Sequence, residues 1–230
     1  MPPKCLFPEE KDIKNIYSQS FRKNLITVPS CDAHNLAKSH DDEYLMMCLS
    51  GKVGNNGVAY VHTATKGRRA MLRKPGMLKI VKNGVLKIGE GKFPFHIVDL
   101  DVHRISHSFE AIARALYFHE EGKNFNGECR VVSRIFFHPS EKKWSNFNIR
   151  ACELIESEQP DWGINTKGEN PQIFTYQFGP VDGFKCQIIA LTFYEKTRVF
   201  VVLSSMTKEE IEKIKPKFKF INKIIFGDLE

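Results

Sequence analysis

Residues Asn24–Leu45 read NLITVPSCDAHNLAKSHDDEYL, and how this stretch is parsed decides the architecture of the N-terminal quarter of the chain. An apolar run at Leu25–Val28, ended by Pro29, predicts a short strand. Cys31 and His34 follow at C-x-x-H spacing, and a turn there gives both side chains reach to two positions of a tetrahedral metal. The bland reading is a buried thiol beside a surface imidazole, because a single such pair is common by chance. Asn35 and Lys38 then lead into a helix through EYLMMCLS, with Gly51 as its stop. Asp41 or Asp42 is placed to cap that helix; with Glu43 the two also offer a carboxylate cluster, although capping explains them with less machinery. A metal site needs more ligands than this stretch holds.

Outward from it, the chain divides between helical and strand periodicities. Residues 1–24 are polar and carry Pro2, Pro3 and Pro8, the mark of a loop. TATKGRRAMLRKPGMLKIVKNG starts as a basic helix, breaks at Pro75-Gly76 and is predicted to resume briefly. VLKIG and FHIVDLDV alternate as strands do. Residues 103–121, HRISHSFEAIARALYFHEE, give the clearest helix, with Ile105, Phe109, Ile112, Ala113 and Leu116 on one face and Gly122 as terminator. CRVVSRIFFH reads as a strand and WSNFNIRACELIESEQ as a helix ended by Pro160. IFTYQFG, FKCQIIALTFYE and RVFVVLSS, separated by PVDG and KT, predict antiparallel hairpins. FKFINKIIF near the end alternates like a last edge strand.

The composition supports a packed interior: 230 residues, 42% hydrophobic, with 18 Phe. Disorder is excluded as a class. No apolar run approaches the roughly 20 residues that span a bilayer, and the first residues lack a signal-peptide apolar core, so a cytoplasmic protein is expected. Six scattered cysteines read as reduced thiols. The net charge of +7 favours a polyanionic partner. Candidate phosphate contacts are Lys38 beside the motif and the run Lys66, Arg68, Arg69, Arg73; Arg69 and Arg73 lie one helical turn apart. A solvated helix face explains the same run. His103, His107 and Glu110 share one helix face and permit a metal, yet without an HExxH pattern they read as polar surface.

The run NLITVPSC-x-x-H-N-x-x-K-S-x-D-D-E-Y, from Asn24 to Tyr44, resembles a group of bacterial HNH endonuclease-like proteins. The likeness extends upstream to PPKCLFP (Pro2–Pro8) and downstream to IARALYFHEEGK (Ile112–Lys123). It implies an α+β chain: residues 1–50 as a truncated ββα-metal module, and residues 51–230 as a mixed body with a central helix and a C-terminal antiparallel sheet. It also implies phosphodiester hydrolysis, of DNA more than RNA, with a catalytic Mg²⁺ or Mn²⁺ and a structural Zn²⁺. Carried over by position, Asn24 orients the water-activating histidine, Asn35 holds the catalytic ion, and Cys31 and His34 are two of the zinc ligands. In the family pattern a [D/E]-H directly precedes PPKCLFP, and a C-x-x-C pair lies further upstream. Met1 stands there instead, so the expectation is that this chain lacks the base and the first zinc pair and does not cut by this mechanism. The rival class is a non-catalytic protein that binds nucleic acid or a protein partner, in a phage-defence or mobile-element setting by analogy.

Overall fold

The computed structural model describes the backbone of residues 2–29, 32–138, 140–214 and 216, and the side chains of these residues except 32–39 and 88. The fold is mixed α+β, built on an antiparallel sheet formed by the second half of the chain. Strands β5 (Phe174–Val181), β6 (Cys186–Phe193) and β7 (Thr197–Ser204) are rich in β-branched and aromatic residues and run as a meander. Before them in sequence come the hairpin strands β1 (Lys79–Ile88) and β2 (Gly91–Asp99), then β3 (Glu128–Val132) and β4 (Lys167–Asn170). The five-stranded sheet has the order β3-β7-β6-β5-β4, so its two edges are its two shortest strands. Short edges limit the row of unpaired backbone groups offered to other chains.

Alternation along the strands divides the core in two. Val199, Val201 and Leu203 of β7 face the same side as Ile189, Leu191 and Phe193 of β6, while Phe200 and Ala190 face the other. The second side is covered by helix α6 (Lys142–Glu158) through Ala151, Cys152 and Ile155. The first, larger side takes helix α5 (Val102–Glu121), whose Ile105, Phe109, Ile112, Ala113 and Leu116 are fully buried. The Phe109 ring lies 5.7 Å from that of Phe193, which in turn lies 5.1 Å from Phe174. Asp101 caps α5 by accepting a hydrogen bond from Arg104 N at 3.0 Å. Gly122 ends it in the left-handed conformation at φ 66°, which costs glycine nothing.

Against α5 pack helix α2 (Asp32–Ser50) and the N-terminal segment, where α1 is a single turn (Glu10–Ile13). Leu6, Phe7, Ile13 and Phe21 are buried, and the fully buried Tyr194 donates its hydroxyl to Leu6 O at 2.8 Å. Buried residues on both sides of residue 50 belong to one core. Helices α3 (Gly57–His62) and α4 (Arg68–Arg73) are two parts of one continuous rod, joined by a π-turn at Thr63–Gly67. Gly67 makes that turn possible beside α2, since a Cβ there would stand 3.2 Å from Met47 Sδ. The hairpin β1-β2 forms a separate ribbon with Ile80, Val81, Val85, Phe93 and Ile97 exposed.

Several local expectations are corrected. Residues 25–28 belong to no ladder; Leu25 and Ile26 instead pack against the core. The turn expected at Cys31–His34 is already helical from Asp32, since no Gly or Pro interrupts the chain between Asp32 and Ser50. Asp41 and Asp42 therefore sit inside α2 and cap nothing; Asp41 accepts a hydrogen bond from Arg104 Nε at 2.5 Å. After Pro75-Gly76 no helix resumes, because Ile80 and Val81 enter β1 directly. The expected FKFINKIIF strand lies outside the described residues.

Truncating Phe193 to Ala should remove the ring that links β6 to both α5 and β5. The expected cost is about 3–5 kcal/mol of unfolding free energy, read from urea denaturation by circular dichroism. The same truncation at Phe137, an exposed aromatic, should change the midpoint little.

Candidate functional site

The motif residues divide between two places. Cys31 lies outside the described residues, as do the side chains of His34, Asn35 and Lys38. Their backbones stand in the first two turns of α2. Asn24 is described: its φ of 53° puts it in the left-handed region, which asparagine tolerates better than most residues. It lines a polar pocket of about 260 Å³ with Gln19, Lys23, Asn170 and Gln172. Across that pocket Asn170 Nδ2 donates to Lys23 O at 3.3 Å, and Gln19 Nε2 lies 3.5 Å from Gln172 Oε1. The surroundings of Asn24 are thus polar and of mixed charge: Gln19 and Lys23 from the N-terminal segment, and Glu169, Asn170 and Gln172 from the end of β4 and the turn that follows. Among the described residues, no three His, Cys, Asp or Glu side chains converge as a metal site. That includes His103 and His107, which are exposed on α5.

The cationic run is engaged in ion pairs. Arg69 makes a two-pronged contact with Asp12 at 2.9 and 2.7 Å, and Lys66 lies 3.7 Å from Glu9. Arg73 reaches Glu43 at 2.5 Å, and Lys74 reaches the same carboxylate at 3.1 Å and His40 Nδ1 at 3.0 Å. Burial works to raise the Glu43 carboxyl, but the hydrogen bonds from Lys74 and Arg73 outweigh it and hold the group below its ordinary range. Among the described residues only Arg68 of the run has no ion pair. These contacts tie the rod Gly57–Arg73 to α1 and α2, and each exposed pair contributes little by itself. A phosphate approaching this face would compete with carboxylates already in place.

Beneath the run lies a buried polar cluster. His62 is fully buried; its Nδ1 stands 3.4 Å from the Tyr194 hydroxyl, and its Nε2 has no hydrogen-bond partner among the described residues. Burial, reinforced by the positive charges of Lys66 and Arg22, lowers His62 to about 4. Cys5 Sγ lies 3.1 Å from Asp42 O, and burial pushes the thiol up to about 12. A thiol so protonated is neither nucleophile nor ready metal ligand.

A larger cavity, about 660 Å³, separates the β1-β2 ribbon from the end of α2, residues 51–56 and the rod Gly57–Arg73. Its walls include Met47, Met71, Leu78, Leu86, Phe95 and Ile135. The sequence carries no local signal for it, since its lining comes from five separate segments. The only hint was the apolar character of a ribbon with no second sheet to cover it.

No helix among the described residues is long and apolar enough to cross a membrane. No protein-family model, no curated protein and no solved structure matches the chain.

His62 ionises near 6.5 when solvated and near 4 in the fold, so between those values the unfolded chain binds the extra proton. Stability is therefore complete above pH 6.5 and declines as the pH falls toward 4. Going from about pH 7.5 to about pH 5 should cost about 2 kcal/mol through this residue. Urea midpoints at both values should show a smaller acid loss in His62→Gln than in the parent; identical losses would remove His62 as the cause.

Proposed function

We propose that the chain carries the metal-holding helix of an HNH-type nuclease and acts on nucleic acid, DNA before RNA. The observation that carries this reading is the start of α2: residues 25–29 belong to no helix or ladder and a helix begins at Asp32, so that His34 and Asn35 fall in its first turn. A ββα-metal site puts ligands in the first turn of a helix, because a side chain there projects back toward the segment that precedes it. On this reading Cys31 and His34 hold a structural Zn²⁺, Asn35 holds a catalytic Mg²⁺ or Mn²⁺, and Asn24 orients the general base. The general base on this reading is the histidine that the family pattern places ahead of the Pro2–Pro8 run. Lys38 and Arg68 are the proposed phosphate contacts; of the run Lys66–Arg73, Arg68 makes no ion pair among the described residues, while Lys66, Arg69 and Arg73 must first exchange a carboxylate for phosphate.

A non-catalytic interaction protein is the second reading. The exposed Ile80, Val81, Val85, Phe93 and Ile97 on the β1-β2 ribbon favour it, since apolar side chains gathered on one two-stranded ribbon mark a contact surface.

The test compares the 230-residue chain with a form carrying whatever residues are encoded in frame ahead of Met1. The nuclease reading expects plasmid nicking with Mg²⁺ or Mn²⁺ and one bound zinc in the longer form. The shorter chain should be slower by about 10²–10⁴-fold. Cys31→Ala should lower zinc content in the longer form. An in-frame stop codon directly upstream, or equal nicking by both forms, counts against the assignment of the base.

A further inference from the structure

Neither β1 nor β2 pairs with any other strand among the described residues, so the ribbon keeps two outer edges. The edges are unlike. Pro94 sits in the middle of β2, opposite Val85. A proline keeps its place in a ladder where its nitrogen faces away from the neighbouring strand, so β2 lacks a donor at the centre of its outer edge. Phe93, Pro94, Phe95 and His96 of β2 also line the 660 Å³ cavity. On β1, by contrast, Lys82, Asn83, Val85 and Lys87 are exposed and stand clear of the cavity walls. The register shift near Val81 is over before Lys82, and no proline interrupts this strand.

Residues directly opposite each other in an antiparallel ladder exchange both backbone hydrogen bonds or neither. Val85, opposite Pro94, therefore directs its N–H and C=O outward, and by alternation Asn83 and Lys87 do the same. Outward groups along an unpaired edge are a template for an added strand. Pairs of this type also bring their side chains close, and Asn83 Oδ1 lies 2.7 Å from His96 Nδ1. The same geometry sets Lys87 directly opposite Lys92, a like-charge pair that a neighbouring carboxylate would relieve. Lys82, Lys87 and Lys92 make no ion pair among the described residues, whereas Lys79 is held by Asp99 at 2.6 Å. Glu90, in the turn, is the other carboxylate of the ribbon.

We propose that the β1 edge from Lys82 to Lys87 takes up an extended acidic segment of a partner protein as a third strand, with an apolar residue beside Val85 and carboxylates beside Lys82 and Lys87. A second copy of this chain is a poorer occupant, since pairing two such edges adds lysines to lysines and the stretch Lys82–Lys87 holds no carboxylate. Nucleic acid would meet the lysines but leave the exposed Val85 and the outward backbone groups without partners. The proposal deepens the interaction reading and rests on the same ribbon.

The probes are two end-blocked, fluorescein-labelled peptides, TEVVTTET and its lysine counterpart TKVVTTKT, followed by anisotropy with the full 230-residue chain. The acidic peptide should bind below about millimolar and the basic one should not. Val85→Pro removes one outward donor and no bond between β1 and β2, so circular dichroism should stay unchanged while acidic-peptide affinity falls about tenfold or more. Lys82→Glu combined with Lys87→Glu should reverse the preference, the basic peptide now binding and the acidic one not. That pair decides alone should Val85→Pro disturb the ribbon. The proposal is overturned if the acidic peptide fails to bind, if both peptides bind the parent equally, or if an intact Val85→Pro binds as the parent does, which leaves plain charge attraction. A short DNA duplex that displaces the acidic peptide and binds Val85→Pro as it binds the parent likewise overturns it, as does a parent dimer in light scattering that Val85→Pro splits. Nicking by the 230-residue chain would count against the non-catalytic reading whatever the peptides do, and failed peptide binding would leave that reading standing.

Discussion

The contact between the apolar stripe of α5 and the inner face of β5-β6-β7 is the constraint on which everything else in the fold depends. Phe109, Phe193 and Phe174 form a connected row of rings across it, and the aliphatic residues of α5 close on either side. Burying such side chains supplies most of what opposes chain entropy, about 1.5–3 kcal/mol for each large one. With this layer formed, α2 and the N-terminal segment have a surface to pack on. Without it, the exposed edge of α5 and the buried Tyr194 would have nothing to seat against.

Polar contacts then set the orientation of what the core merely attracts. Arg104 leaves α5, stacks 4.3 Å from the Tyr44 ring, donates to Asp41 at 2.5 Å and to His40 O at 2.8 Å. The Tyr44 hydroxyl in turn accepts from Asp101 N at 2.9 Å, so the cap of α5 and the middle of α2 are joined by one network. This is a different use for the acidic triplet Asp41-Asp42-Glu43 than capping or metal binding: Asp41 locks α2 to α5, and Glu43 draws Arg73 and Lys74 of the rod toward α2. His34 and Asn35, two of the residues proposed to hold metal, stand on the same helix about two turns earlier, so their scaffold is held by contacts remote from any ligand.

The helix entry and the cavity differ in how the fold supports them. The nuclease reading depends on a helix N-terminus that follows a segment, residues 25–29, paired with no strand. The cavity depends on a ribbon held away from the five-stranded sheet and on the rod with its π-turn that faces it. π-turns interrupt an otherwise regular ladder and are often found at sites of function, because the interruption frees a group that a regular helix would satisfy internally.

Periodicity determined by itself the elements whose evidence lies within a few neighbouring residues. The stripe Ile105, Phe109, Ile112, Leu116 with Gly122 after it, and the β-branched runs of β5, β6 and β7 with their short turns, are local patterns, and they appear in the structure as read. Only tertiary structure decided the fate of Leu25–Val28, since a strand requires a partner and the apolar run found a core surface instead. The same holds for Arg69 and Arg73, whose partners Asp12 and Glu43 are 57 and 30 residues away along the chain. The depressed ionisation of His62 comes first from burial and then from the charges of Lys66 and Arg22, and the burial exists only once the chain has folded over it. The cavity was beyond any local pattern for the same physical reason: a void is defined by the elements that fail to meet, and that is settled only when the layers are packed.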